Sequence, residues 1–259
     1  MVLAGFVTLS CTDRTSEQGK LASKSDSDQV LTVVSNAIRA HGIPTNLAAI
    51  KGGRMKVFTH GTPGMGYEDK ITEEVVFWMP AKLRRVTTFT TEFTDGRKES
   101  VRRVSVQNGL KAWDKNEDGS VTRAAQMNDP RRLFPLSHLF DIGTFEDPRF
   151  SITLVPAQED HATCTVHFTI GGQWFTDVVF DQASMLVAGT SKPFYDPLTK
   201  RSAVAETRLS DYRRVRGMMI PMSTSTFLDG RKFTETKCLE FELLDELSDS
   251  EFTEPKPGW

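Results

Sequence analysis

Between residues 46 and 244 the dominant period of this chain is two. Segments near 46–60, 71–79, 83–94, 97–107 and 110–114 alternate apolar with polar residues or run in β-branched ones. The same pattern returns near 150–157, 161–170, 173–180, 185–191, 203–213, 219–228 and 233–244. Turn signals separate the segments: Gly52-Gly53, Gly61-Thr-Pro-Gly64, Pro80, Asp95-Gly96, Gly171-Gly172 and Asp229-Gly230. In the third segment Leu83, Phe89 and Phe93 share one face, with Arg84, Val86 and Thr88 on the other. Strands this long in a meander require a strongly curved antiparallel sheet.

Two stretches break the period. From Gln29 to Ala40, residues Val30, Val33, Val34, Ala37 and Ile38 fall at helical spacing. N-cap candidates precede them in Ser25-Asp-Ser-Asp28, and His41-Gly42 with Pro44 ends the run. From Asn128 to Ile142, residues Leu133, Leu136, Leu139 and Phe140 form a helical stripe, with prolines confined to its start. The expected order is a helix, about five strands, a helical insert and about seven strands. This is an α+β chain of about 10–12 strands whose insert can cap the open side of the sheet as a lid. No low-complexity linker interrupts residues 28–255, which read as one domain, with the acidic stretch Asp245 to Glu254 at its periphery.

Composition narrows the function. A net charge of −2 leaves no basic excess to track a phosphate backbone, so nucleic acid is not an expected partner. The chain carries 17 Phe and 4 Trp but only 3 Tyr, aromatics suited to an apolar interior or cavity. No Gly-x-Ser-x-Gly, phosphate loop, dinucleotide fingerprint or His-Glu-x-x-His is present, and no catalytic constellation or cofactor is expected. The five histidines lack metal-ligand spacing; His161 and His167 read as solvated positions on the polar side of a strand. Asp114, Asn116, Asp118, Gly119 and Val121 match positions of a calcium loop. Position twelve is Ala125 rather than a bidentate Glu, and the segment entering it is a strand, so a polar hairpin loop is expected and no metal is assigned. Alternation places Cys164 with Val166 and Phe168, and Cys238 opposite Leu239, Phe241 and Leu243, which argues against a disulfide between them.

At the amino terminus the apolar run Val2 to Leu9 ends in Ser10-Cys11 and passes at once into polar sequence. Leu9-Ser10-Cys11 resembles the bacterial lipobox, which implies a lipoprotein signal over residues 1–11 with lipidation at Cys11. Residues 12–27, rich in Ser, Thr and charge, then read as a flexible tether.

Four stretches, in order, resemble the LolA/LolB-like superfamily of periplasmic lipoprotein carriers, which sort outer-membrane lipoproteins. They are Pro80-Ala-Lys-Leu-Arg84, Asn108-Gly-Leu-Lys-Ala-Trp113, Phe180-Asp181 followed by Met185-Leu-Val187, and the run from Ala205 through Asp211-Tyr212, Gly217 and Pro221 to Asp229-Gly230. The resemblance implies an incomplete β-barrel with a helical lid and an apolar cavity that shields acyl chains. It departs at Met79, where the best-known carriers have an arginine that helps latch the lid.

On these readings the expected cavity wall is Trp78, Phe89, Phe93, Val104, Trp113, Leu136, Leu139, Phe140, Phe168, Trp174 and Phe180. The same residues also fit an ordinary packed core. The expected function is binding of lipid or of acylated lipoprotein at the bacterial cell envelope, by a non-enzymatic, lipid-anchored, monomeric periplasmic protein. The alternative is an envelope protein with a filled core that binds a protein partner.

Overall fold

The computed structural model describes residues 24–42, 50–61, 67–124, 149–155, 162–196 and 200–258. The expected signal, Cys11, most of the tether and the helical insert with Leu136, Leu139 and Phe140 lie outside these residues.

Helix α1 spans Lys24–Ala40, so it begins one residue before the Ser25–Asp28 stretch expected to cap it and takes that stretch into its first turn. Its buried stripe is Val30, Val34, Ala37 and Ile38, the i, i+4, i+7, i+8 face of one helix. Gly42 closes it with φ +71°, and its N–H is bonded to the Arg39 carbonyl at 2.9 Å. No side chain fits there, because a Cβ on Gly42 would lie 2.2 Å from the Gly217 carbonyl oxygen.

The strands divide into two antiparallel meanders. The first is β1 (Gly52–Gly61), β2 (Tyr67–Trp78), β3 (Lys82–Phe93), β4 (Lys98–Asn108), β5 (Lys111–Lys115) and β6 (Val121–Arg123). The second is β7 (Phe150–Val155), β8 (Thr163–Ile170), β9 (Gln173–Asp181), β10 (Val187–Asp196), β11 (Arg201–Val215), β12 (Met218–Leu228) and β13 (Arg231–Leu244). Pairing of β1 with β13 joins them into one unclosed sheet of order β6-β5-β4-β3-β2-β1-β13-β12-β11-β10-β9-β8-β7. The count is thirteen rather than ten to twelve. The additional strand, β6, has only three residues, too few to show a period.

The turns follow their residues. Gly171-Gly172 and Asp229-Gly230 have φ of 59° and 77°, and of 48° and 76°, the doubly positive geometry that suits the twist of a two-residue hairpin. Arg216-Gly217 between β11 and β12 does the same. At Asp95-Gly96 the Asp95 carboxylate accepts from the backbone N–H and Nε of Arg97.

Two faces result. Register places Met55, Val75, Phe77, Leu83, Phe89, Val166, Phe168, Val178, Phe180 and Leu209 on the face that carries α1, here called inner. Over β7–β11 this face is filled: α1 packs its stripe onto Val166, Phe168, Val178, Phe180, Val187 and Leu209. Each such side chain contributes about 1.5–3 kcal/mol through removal from water. A second inner cluster unites Ile50, Val75, Phe77, Leu83, Met218, Ile220, Met222 and Leu243. Gly53 admits it, since a Cβ there would meet the Phe77 ring at 2.7 Å. The outer face holds the third cluster, Val76, Val86, Val104 and Val106 with Trp78 and Trp113, closed by Phe252 and Leu247 of the C-terminal segment.

Candidate functional site

Against the second inner cluster, which supplies Ile220 and Met222, lies an open pocket of about 220 Å³, lined mainly by Met55, Val57, Glu73, Ile220, Met222, Thr224, Thr236, Cys238 and Phe241. Its walls come from β1, β2, β12 and β13. On a flat sheet β2 and β12, three strands apart, would be separated by about 14 Å. That Glu73 and Ile220 line one pocket shows how strongly the sheet bends over it.

The pocket owes its shape to a bulge. Pairing of β1 with β13 shifts between Lys56 and Val57, so Lys56 faces Glu240 and Val57 faces Cys238. Leu239 is the extra residue and is 52% exposed, whereas Cys238 turns inward beside Phe241. Simple alternation puts Cys238 on the opposite face from Phe241; the bulge overturns that expectation. Cys164, partly buried against the α1 core, and Cys238 are both free thiols, and burial pushes both up from the ordinary thiol range. They are therefore poor nucleophiles at neutral pH.

Along the strands the inner face changes character. Toward the β11–β12 hairpin it is apolar, with Met218, Ile220, Met222, Leu243 and Phe77. Toward the other end it carries hydroxyls: Thr59 bonds Thr236 at 2.8 Å, Thr236 pairs with Thr224, and Thr207 lies 3.4 Å from Thr226. Glu73 sits at the boundary. Its Oε1 accepts from the Thr87 hydroxyl at 3.2 Å and lies 3.6 Å from Arg85 Nε. Glu74, the next residue, faces outward and pairs with Lys56 at 3.2 Å. Beyond them Asp114 accepts from Ser105 Oγ at 2.6 Å and pairs with Arg103.

The described ones among the expected wall residues are not gathered into one site. Phe168 and Phe180 are fully buried beneath α1, as packed core. Phe89 lies on the inner face, 41% exposed, and Phe93 is on the same face with the Arg97 guanidinium 4.9 Å from its ring. Trp78, Val104 and Trp113 lie on the outer face, packed with Phe252. Trp174 is separated from them all: its Nε1–H donates to Asp177 at 3.1 Å. The bulge between Phe168 and Thr169 pairs Trp174 with Thr169 and turns it outward. The residues that do line the pocket, Met55, Val57, Ile220, Met222 and Phe241, went unnoticed in the sequence. Their signal was the methionine-rich run Met218-Met-Ile-Pro-Met222 and the period-two pair Met55 and Val57.

Two other groupings resolve into structural contacts. His167 is paired rather than solvated: its Nδ1 meets Asp177 Oδ1, and the Ser191 hydroxyl donates to the other oxygen of the same carboxylate at 3.3 Å. Serine thus contacts the acid and not the imidazole, the wrong order for activating a nucleophile. The loop after β5 is a hairpin, closed by Asn116 N–H to the Ser120 carbonyl at 2.9 Å and by Asp118 accepting from Ser120 N–H at 2.8 Å. Asp114 is turned onto β4 instead of into that loop. Among the described residues no group of three or more His, Cys, Asp or Glu side chains is arranged to hold a metal ion.

An unclosed, curved antiparallel sheet with a helix on its inner face is an open half-barrel. A solved structure shares that form. A LolA superfamily protein from Nitrosomonas europaea matches 86% of this chain and 97% of its own length, at TM-score 0.51 and 13% identity. A putative outer membrane lipoprotein-sorting protein domain from Vibrio parahaemolyticus matches over 87% and 96%, at TM-score 0.48 and 9% identity. A DUF1329 family protein from Desulfovibrio piger matches over 86% and 97%, at TM-score 0.47 and 12% identity. The chain has the LolA-like fold. No family model and no curated protein matches its sequence.

Proposed function

We propose that this protein binds the acyl chain of a lipid or acylated lipoprotein at the cell envelope, as a non-enzymatic carrier or receptor tethered through lipidated Cys11. The observation that carries this reading is the open pocket of about 220 Å³ walled by Met55, Val57, Ile220, Met222 and Phe241. Each methylene moved from water into such a wall contributes about 0.8 kcal/mol, so a single chain binds there without polar help. Methionines in the wall adapt to chains of different shape. Phe89, exposed on the same face across from Val101, extends the apolar surface beyond the pocket.

The test is native mass spectrometry of the full chain carrying Cys11→Ser, purified from cells and followed by organic extraction. Lipid or acylated peptide is expected to co-purify. It is lost in Val57→Trp, which fills the pocket, and retained in Trp113→Phe on the outer face. A clean apo mass, unchanged after incubation with phospholipid and with acylated peptide, would overturn the reading. The filled-core, partner-binding alternative would then take its place, with the part of the inner face packed by α1 as its structural basis.

A further inference from the structure

Resting on that reading, we infer that the pocket selects an acylated ligand whose head is uncharged and carries free hydroxyls, such as an acylglycerol or a glycosyl lipid, over one ending in a carboxylate or phosphate.

Among the described residues that line the pocket one side chain is charged, Glu73. Glu73 is placed on the inner face of β2 because the side-chain period of a strand is two, and it sits in a wall that is otherwise aliphatic, thioether, thiol, aromatic or hydroxyl. A carboxylate only accepts hydrogen bonds. Its two described partners, Thr87 Oγ and Arg85 Nε, both approach Oε1. A ligand hydroxyl can donate to such a group. A ligand carboxylate or phosphate diester cannot, and it meets like charge at short range, while the Arg85 guanidinium is already engaged with Glu73 at 3.6 Å.

The hydroxyls nearby serve the same chemistry. Thr224 and Thr236 line the pocket, and each is only partly buried. They continue along the inner face to Thr59, Thr226 and Thr207. A threonine hydroxyl both donates and accepts, so this stretch can engage ester oxygens and hydroxyls in either sense, without adding net charge. The apolar end of the pocket is formed by Ile220, Met222 and Phe241, which orients the ligand with its tail toward the β11–β12 hairpin and its head along the threonines.

The experiment measures dissociation constants of the full chain carrying Cys11→Ser for 1-monopalmitoylglycerol, dodecyl glucoside and ionised palmitate at pH 8. Wild-type protein is expected to bind one or both hydroxylated ligands at least tenfold more tightly than palmitate. The stronger of the two distinguishes a glycerol head from a sugar head. Glu73→Gln, which keeps the side chain's shape, should tighten palmitate and bring the ratio within about threefold, whereas Glu74→Gln on the outer face should leave it unchanged. Equal or tighter palmitate binding by wild type, or a ratio unaffected by Glu73→Gln, overturns this inference while leaving acyl-chain binding intact. Failure of all three ligands to bind overturns the acyl-binding reading itself.

Discussion

His41 is fully buried, and both ring nitrogens are used. Nδ1 bonds the Ala37 carbonyl at 2.7 Å, so it carries the proton, and Nε2 accepts from the Val187 N–H at 3.4 Å. The Tyr212 ring stands edge-on at 5.8 Å and its hydroxyl donates to the Val187 carbonyl. A second proton on this imidazole would face the Val187 N–H. Burial holds His41 below its usual value of 6.5. The unfolded chain therefore takes up a proton near pH 6.5 that the folded chain resists. The contribution of neutral His41 to stability is complete above that pH and is lost as pH falls toward the folded value. The melting midpoint is expected to drop between pH 7.5 and 5. In His41→Gln it should start lower and fall less steeply over the same range, which thermal denaturation monitored by circular dichroism would check. Retention of the full wild-type pH slope in that variant would show that other groups carry it.

At this scale the sequence was legible wherever alternation alone decided the outcome. Leu83 shares its face with Phe89 and Phe93, as alternation requires. His41 was invisible as the contact that ties the end of α1 to the sheet, because its partners there lie in β10 and the β11–β12 hairpin, far along the chain.

Among the elements, β13 shows where alternation fails. Leu239 adds one residue to a strand of otherwise regular pairing, and everything before it changes face relative to Phe241 and Leu243. Deleting Leu239 would remove the bulge and leave Cys238, Thr236 and Thr234 on the same face as Phe241 and Leu243, now in simple alternation. Cooperative unfolding is expected to be retained in that deletion, because β1 and β13 then pair as a regular ladder. Leu239→Ser, at an exposed site, should stay within about 0.5 kcal/mol of wild type in urea. The same kind of bulge in β8–β9 separates Trp174 from the face on which Phe168 and Phe180 sit. A bulge is set by backbone pairing rather than by residue type, and for that reason the strands were readable in the sequence while much of the pocket lining was not. The helix α1 was readable because its stripe is local; the separation of Trp78 and Trp113 from Phe89 follows from registers fixed across four strands.

For the whole molecule, the C-terminal segment matters more than its peripheral reading suggested. Phe252 is buried against the outer clusters, Lys82 reaches Asp249 at 2.6 Å, Glu251 meets Arg54 and Arg84, and Gly258 N–H bonds the Gly119 carbonyl. The ion pairs are largely exposed and contribute little, so Phe252 carries the attachment. Phe252→Ala is expected to cost about 3–5 kcal/mol in chemical denaturation. It should also shift the fluorescence of Trp78 and Trp113 toward that of wetter indoles. An unchanged spectrum would mean that the segment does not seal these rings.

The bend that makes the pocket has a mechanical consequence. One half of the sheet is splinted from outside by the C-terminal segment across β1–β4, the other from inside by α1 across β7–β11. Among the described residues neither splint crosses the seam between β12 and β1, and the pocket lies along that seam. The second inner cluster does cross it, uniting Val75, Phe77 and Leu83 with Met218, Ile220 and Leu243, so the space between Glu73 and Ile220 changes only as that cluster yields. The size of what the container holds is thus set by one cluster at the seam, while the two splinted halves fix where its walls stand.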